Sequence, residues 1–138
     1  MTSTINMQDM RHLNLFERIT KIRTRFCFKY NETIFFCVPK PLISRAIGGE
    51  GMNVKKISEI LGRKIKVIAQ PDKKYQVKEF IQDIISPVTF KDLQITENEI
   101  VLTAGSPNKA ALIGRNKRRL LEMKKIIKDF FEKDFRII

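Results

Sequence analysis

The sequence predicts an α+β chain built from two small domains, each a three-stranded sheet packed with helices. Three observations carry that prediction. First, one local pattern occurs twice, as Ile47-Gly48-Gly49-Glu50-Gly51-Met52-Asn53-Val54-Lys55-Lys56-Ile57 and as Ile113-Gly114-Arg115-Asn116-Lys117-Arg118-Arg119-Leu120-Leu121-Glu122-Met123. Second, the periodicity around both copies spells one order: helix, strand, strand, short helix, glycine loop, helix, strand. Third, 138 residues with 43% hydrophobic and 9% aromatic content support folded cores but not a single large one.

The elements follow in order. Residues 1–8 are polar and are expected to be a flexible N-terminus. Met10–Ile22 places Met10, Leu13, Phe16 and Ile19 at helical spacing. Arg23–Lys29, around Phe26 and Phe28, reads as a strand, Tyr30-Asn31-Glu32 as a turn, and Thr33–Val38 as a second strand rich in β-branched and aromatic residues. Pro41 fits the first turn of a short helix, Leu42–Ile47. After the first glycine loop, Met52–Leu61 carries Val54, Ile57, Ile60 and Leu61 on one side, and Gly62 stops it. Lys64–Ala69 alternates as a half-buried strand. Gln70–Lys74 reads as a short linker, which sets the expected domains at 9–70 and 71–138. The second half repeats the order: helix Tyr75–Ile85, strands Val88–Ile95 and Glu99–Thr103, short helix Ala110–Ile113, loop Gly114–Lys117, helix Leu120–Glu132 and strand Phe135–Ile138.

Charge narrows the function. There are 27 Lys and Arg against 15 Asp and Glu, for a net +12. Residues 1–70 hold 13 basic and 5 acidic side chains (+8), and residues 71–138 hold 14 and 10 (+4). Such an excess attracts phosphate backbones through counterion release. The two cysteines, Cys27 and Cys37, flank the predicted turn and read as reduced apolar fillers of a cytoplasmic protein. Without a neighbouring histidine pair they make no convincing metal site. His12, the only histidine, has no evident metal or triad partner. No signal-peptide or membrane-span pattern is present, so no membrane partner is expected. No carboxylate pair is placed for acid–base work, and Gly48-Gly49-Glu50-Gly51 lacks the lysine and hydroxyl of a nucleotide triphosphate loop. The reading is a binding protein rather than an enzyme, without a cofactor.

The element order and the Ile47–Lys56 motif resemble two tandem KH domains of the type II arrangement. More closely, the chain resembles the archaeal NusA-like transcription factors over roughly residues 9–138. Leu15-Phe16-Glu17-Arg18-Ile19-Thr20 within the Arg11–Arg25 lead, and Phe80-Ile81 followed by Ser86-Pro87, carry the same resemblance. In that family a GxxG loop joins two helices beside a groove and clamps a nucleic-acid backbone, with about four nucleotides across each module. The resemblance implies single-stranded RNA as ligand, a nascent transcript in particular. It also implies RNA polymerase as partner and a role in termination, antitermination or pausing.

On this reading Gly48 and Gly51 allow close approach of the phosphodiester, and N–H groups near the following helix start favour a phosphate. Gly49 and Glu50 fill the variable middle positions, and Glu50 either caps the helix or limits nonspecific binding. Arg45 adds a backbone contact. One of Lys55 and Lys56 faces phosphate, in either assignment. In the second loop Gly114 matches the first glycine, Arg115 and Asn116 fill the middle, and Lys117 stands where the last glycine belongs. Lys117 then either keeps phosphate attraction with an altered loop geometry or marks a module turned structural; the first is favoured. Arg118 and Arg119 strengthen the charge there, and Lys124, Lys125 and Lys128 extend it. Leu120, Leu121, Ile127, Phe130 and Phe131 are expected in the core. A ribosome-associated or ribosome-assembly KH protein, and a KH-derived protein-interaction scaffold, are the competing readings. A monomer is favoured.

Overall fold

The computed structural model describes residues 7–71 and 77–138. The elements in chain order are α1 (Met7–Thr20), β1 (Phe26–Tyr30), β2 (Thr33–Val38), α2 (Ile43–Ile47), α3 (Met52–Leu61), β3 (Lys64–Ala69), α4 (Val77–Ile85), β4 (Asp92–Ile95), β5 (Glu99–Thr103), α5 (Asn108–Ile113), α6 (Arg118–Phe131) and β6 (Asp134–Ile137). The chain forms two compact units divided between Phe80 and Ile81, inside α4 and beyond the boundary expected after residue 70. Among the described residues no helix is long and apolar enough to cross a membrane.

Each unit holds one mixed sheet with its middle strand in the centre. In the first, β1 pairs antiparallel with β2 from Phe26↔Cys37 to Tyr30↔Thr33, and β2 pairs parallel with β3 from Thr33↔Lys64 to Val38↔Ala69. In the second, β4 pairs antiparallel with β5 and β5 parallel with β6. The parallel pair in each unit requires a crossover, and the helix–loop–helix segment supplies it. The β1–β2 hairpin closes through Asn31 and Glu32, both at positive φ (49° and 61°), the conformation that matches the twist of a two-residue turn.

Burial follows this placement. All six residues of β2 are buried, as a central strand requires. Its alternation sends Ile34, Phe36 and Val38 into a core with Leu15, Phe16, Ala46, Ile57 and Ile65. There the Phe16 and Phe36 rings stack at 4.4 Å. On the other face Phe28 stacks on Phe35 at 5.2 Å. Cys27 lies opposite Phe36 and packs against the helix-side core, whereas Cys37 lies opposite Phe26, one position on and so on the other face of the sheet. Neither cysteine is joined in a disulfide. In the second unit Ile100 and Leu102 of β5, Leu112 of α5, and Met123, Ile126 and Ile127 of α6 are buried.

Several boundaries differ from expectation. Helix α1 starts at Met7, so Met7 and Gln8 are helical rather than frayed; the remainder of the expected flexible segment, residues 1–6, lies outside the described residues. Residues 72–74 of the expected linker, and Tyr75 and Gln76 of the expected helix start, also lie outside them. Strand β1 begins at Phe26 because Thr24 Oγ1 donates to the Cys37 carbonyl and accepts from the Phe26 N–H, replacing ladder bonds with a side chain. Strand β4 is confined to Asp92–Ile95. Helix α6 ends one residue early because Glu132 takes a left-handed cap (φ 56°), as Gly62 does after α3. Leu121, expected in the core, is 58% exposed; the helix turns Met123, Ile126 and Ile127 inward instead.

The stacked Phe16–Phe36 pair is expected to dominate the first unit's stability. Phe36→Ala should lower it by about 3–5 kcal/mol, the usual range for emptying a buried aromatic site. Chemical denaturation measures this, and a loss below about 1 kcal/mol would contradict the packing described.

Candidate nucleic-acid interface

Each crossover is a short helix, a four-residue loop and a longer helix. The apolar faces of α2 and α3 bury Ala46 and Ile57, which leaves the connecting loop at the surface. Gly48 ends α2, with its N–H donating to the Ser44 carbonyl at 3.0 Å. Gly49–Gly51 then makes a 3-10 turn, and α3 begins at Met52. Gly114 ends α5 in the same way, donating to Ala110 O at 3.0 Å. Arg115–Lys117 makes the equivalent turn before α6.

The two loops share one backbone. Gly48 stands at φ 82°, ψ 165° and Gly114 at φ 76°, ψ 172°. Glu50 (57°, 26°) matches Asn116 (55°, 29°), and Gly51 (72°, 21°) matches Lys117 (61°, 22°). The closing bond recurs as well: Gly51 N–H to Gly48 O at 3.1 Å, and Lys117 N–H to Gly114 O at 3.2 Å. The altered geometry expected from lysine at position 117 is therefore not found. Lys117 takes the left-handed conformation, which costs an ordinary side chain about 1 kcal/mol or somewhat more but is sterically open.

The loop's opening glycine is the more constrained one. Its φ and ψ lie in a region essentially reserved for glycine. A Cβ at Gly48 would sit 3.0 Å from Asn53 Cγ, and one at Gly114 would sit 2.9 Å from Arg119 Cγ. At Gly51 a Cβ would meet only Lys55 Cε, at 3.9 Å. Room exists at the closing position and not at the opening one.

Asn53 and Arg119, each five residues after the opening glycine, do the same structural work. Asn53 Nδ2 donates to the Arg45 carbonyl at 3.4 Å, and Arg119 Nη1 donates to the Ala111 carbonyl at 2.9 Å. Each ties the longer helix back to a carbonyl three residues before the glycine. Sequence reading assigned Arg119 to the ligand and Asn53 only to a motif. Their shared offset from the glycine was the available signal.

The other site residues divide by unit. Arg45, Gly49, Glu50, Lys55 and Lys56 are exposed, and Gly48 and Gly51 are half-buried. Glu50 makes no hydrogen bond or ion pair among the described residues, so the capping role is not found. Lys55 runs beside Gly51, whereas Lys56 lines a groove with Arg18 and Ile19 of α1, Met52, Asn53 and Ile60. Lys55 is thus the lysine at the loop, and Arg18 is a basic neighbour of Lys56 that the sequence reading missed. In the second unit Arg115, Asn116, Lys117 and Arg118 are exposed around the loop, and Arg119 is half-buried beneath it. The first loop carries one acid, Glu50, and no base; the second carries Arg115 and Lys117 and no acid. Leu121 and Glu122 stand where the first unit has Lys55 and Lys56; the second unit carries its charge near the loop as Arg115 and Lys117 within it and Arg118 and Arg119 in the first turn of α6. Lys124, Lys125 and Lys128 line a separate groove with Lys133 and Arg136, where Lys125 pairs with Asp129 and Lys128 with Asp134.

A polar cluster also forms in the first unit. His12, partnerless in the sequence, lies with Asp9 of α1 and Cys27 of β1. Burial lowers the His12 pKa against the opposing effect of Asp9, with Arg63 adding to the lowering. Burial, aided by Asp9, pushes the Cys27 thiol up to about 12.

No protein-family model matches the chain. It is similar to three archaeal proteins, each named probable transcription termination protein NusA. The relative from Methanococcus vannielii is 30% identical over 100 residues, covering 71% of this chain and 56% of the relative. That from Halococcus morrhuae is 23% identical over 137 residues, covering 97% and 96%. That from Methanocaldococcus jannaschii is 24% identical over 128 residues, covering 90% and 68%. The match thus spans just over half the length of the Methanococcus relative and nearly all of the Halococcus one. The crystal structure of APE1850 shares the fold, with a TM-score of 0.63 at 22% identity over 97% of this chain and 99% of that one. In sequence the chain is thus similar to archaeal NusA-like proteins.

Two stability outcomes follow from the loop geometry. Gly48→Ala should cost the first unit about 1–3 kcal/mol through backbone strain alone, before the Asn53 clash is counted. Wild-type denaturation behaviour of that variant would contradict the assignment. Arg119→Ala should destabilise the second unit by about 1.5–3 kcal/mol, as loss of a charged hydrogen bond does, whereas Arg115→Ala, at an exposed loop position, should change stability by less than about 0.5 kcal/mol. Equal losses in the two variants would show that Arg119 is not the strut.

Proposed function

We propose that each unit is a type II KH module and that the chain binds single-stranded RNA through its two glycine loops, acting with RNA polymerase in the control of transcript elongation or termination. The observation that carries the reading is the retention of one loop backbone in both units although only one of the two loops keeps its closing glycine. A loop serving only as a connection has no need to hold the same dihedral angles through such a change. The order helix, strand, strand, helix, loop, helix, strand, with a parallel pair across the crossover, supports the type II arrangement. The names of the archaeal relatives support the link to transcription.

The two loops reach a phosphate by different means. In the first, Gly49 and Gly51 leave the backbone uncovered, and the helix N-terminus behind it supplies positive potential. Lys55 adds a side-chain cation beside the closing glycine. In the second, Arg115, Lys117 and Arg118 bring the charge. These contacts hold the backbone and give affinity; base identity is read in the groove beside them. The exposed Leu121 beside the second loop favours a second reading, in which that module faces a protein.

The test is binding of the full chain to matched single-stranded RNA, single-stranded DNA and duplex RNA across salt concentration. Preference for single-stranded RNA that persists as salt rises is expected. Equal, steeply salt-dependent binding to all three would contradict the reading. Gly51→Asp places a carboxylate at the phosphate position, where the backbone accepts a side chain. It should weaken RNA binding by about tenfold or more, with melting lowered by about 5 °C or less. Arg115→Ala should flatten the logarithmic salt slope by about 0.7, the loss of one single-strand phosphate contact. An unchanged slope would assign the second loop to a protein instead.

A further inference from the structure

We infer that Asp9, His12 and Cys27 form a binding site for a divalent transition metal of the zinc class. One donor atom from each residue lies within 4.8 Å of the other two. Asp9 and His12 are three residues apart on α1 and so share one face of the helix. Cys27 reaches them from β1, because its register puts its side chain on the helix-facing side of the sheet.

The donor set selects the metal. A carboxylate oxygen, an imidazole nitrogen and a thiolate sulfur suit zinc and its neighbours; calcium and magnesium take oxygen ligands. Tetrahedral zinc holds such donors at about 2.0–2.3 Å, which puts them about 3.5 Å apart. Closing the present spacing needs a shift of roughly 1 Å, within reach of side-chain rotation at Asp9 and His12. All three residues are half-buried, sheltered from bulk water yet open to an entering ion. Metal binding expels the Cys27 thiol proton to solvent, and the resulting thiolate together with the Asp9 carboxylate balances a dication. The nearby cation Arg63 is engaged by Glu32 at 2.8 Å. Three protein donors leave the fourth position to water. A metal here fastens α1 to the sheet, and α1 packs on α3, the helix that carries the first loop. The site is independent of the RNA-binding reading.

The experiment is titration of the metal-stripped full chain with Co2+, whose thiolate-to-metal absorption in the near ultraviolet reports sulfur ligation. One equivalent is expected to bind, with zinc displacing it and raising the melting temperature. Cys37→Ser should keep the absorption and Cys27→Ser should lose it. Asp9→Asn, close in shape, should weaken Co2+ binding tenfold or more while the circular dichroism stays unchanged. No thiolate absorption at stoichiometric Co2+ would overturn the site. So would absorption that survives Cys27→Ser, or full Co2+ affinity in folded Asp9→Asn.

Discussion

Each candidate site depends on one constrained residue, the glycine that ends the short helix. Gly48 and Gly114 turn the chain through a backbone region that other residues rarely enter. The turn lets the glycine carbonyl accept the N–H three residues on, closing the loop, and aims the next helix start outward. The missing side chain also leaves space for Asn53 or Arg119 to reach back to the short helix. Loop shape, helix placement and the crossover between parallel strands all follow from that point.

The closing position obeys a milder rule, and the contrast explains how the two halves diverge. A left-handed residue that meets no neighbour tolerates substitution at modest cost. Lys117 occupies that conformation with the same closing bond as Gly51. The second unit gives up the uncovered backbone and gains cations in the loop, while its helix loses the lysine pair found in the first unit. The shared frame therefore presents two chemical surfaces, one made mainly of backbone dipole and one mainly of side-chain charge.

Much of the fold was legible in the sequence because local signals agreed. The β-branched and aromatic run Thr33–Val38, the alternation in Lys64–Ala69, the stop at Gly62 and the turn at Asn31-Glu32 each specified structure within a few residues, and each element is present. Element boundaries slipped where side-chain hydrogen bonds and left-handed caps, rather than hydrophobic period, set them, as at Thr24 before β1 and Glu132 after α6. Leu121 was misplaced because two adjacent leucines, Leu120 and Leu121, fit a helical face equally well until the packing of Met123 fixes the rotation. The glycine loops were legible, but the roles of Asn53 and Arg119 were not. A strut to a carbonyl eight residues earlier leaves no compositional trace. The meeting of His12 with Cys27 depends on strand register and was equally hidden.

The central claim is that both loops are phosphate clamps despite their different residues. The most direct measurement follows the backbone amide resonances of Gly48–Met52 and Gly114–Arg118 while the full chain is titrated with a short single-stranded RNA. The account predicts that both sets move and saturate together, with smaller changes for duplex RNA at the same concentration. If neither set moves while RNA binds, the clamp assignment is wrong. If only the first moves, the second loop keeps the backbone of a clamp without the function of one.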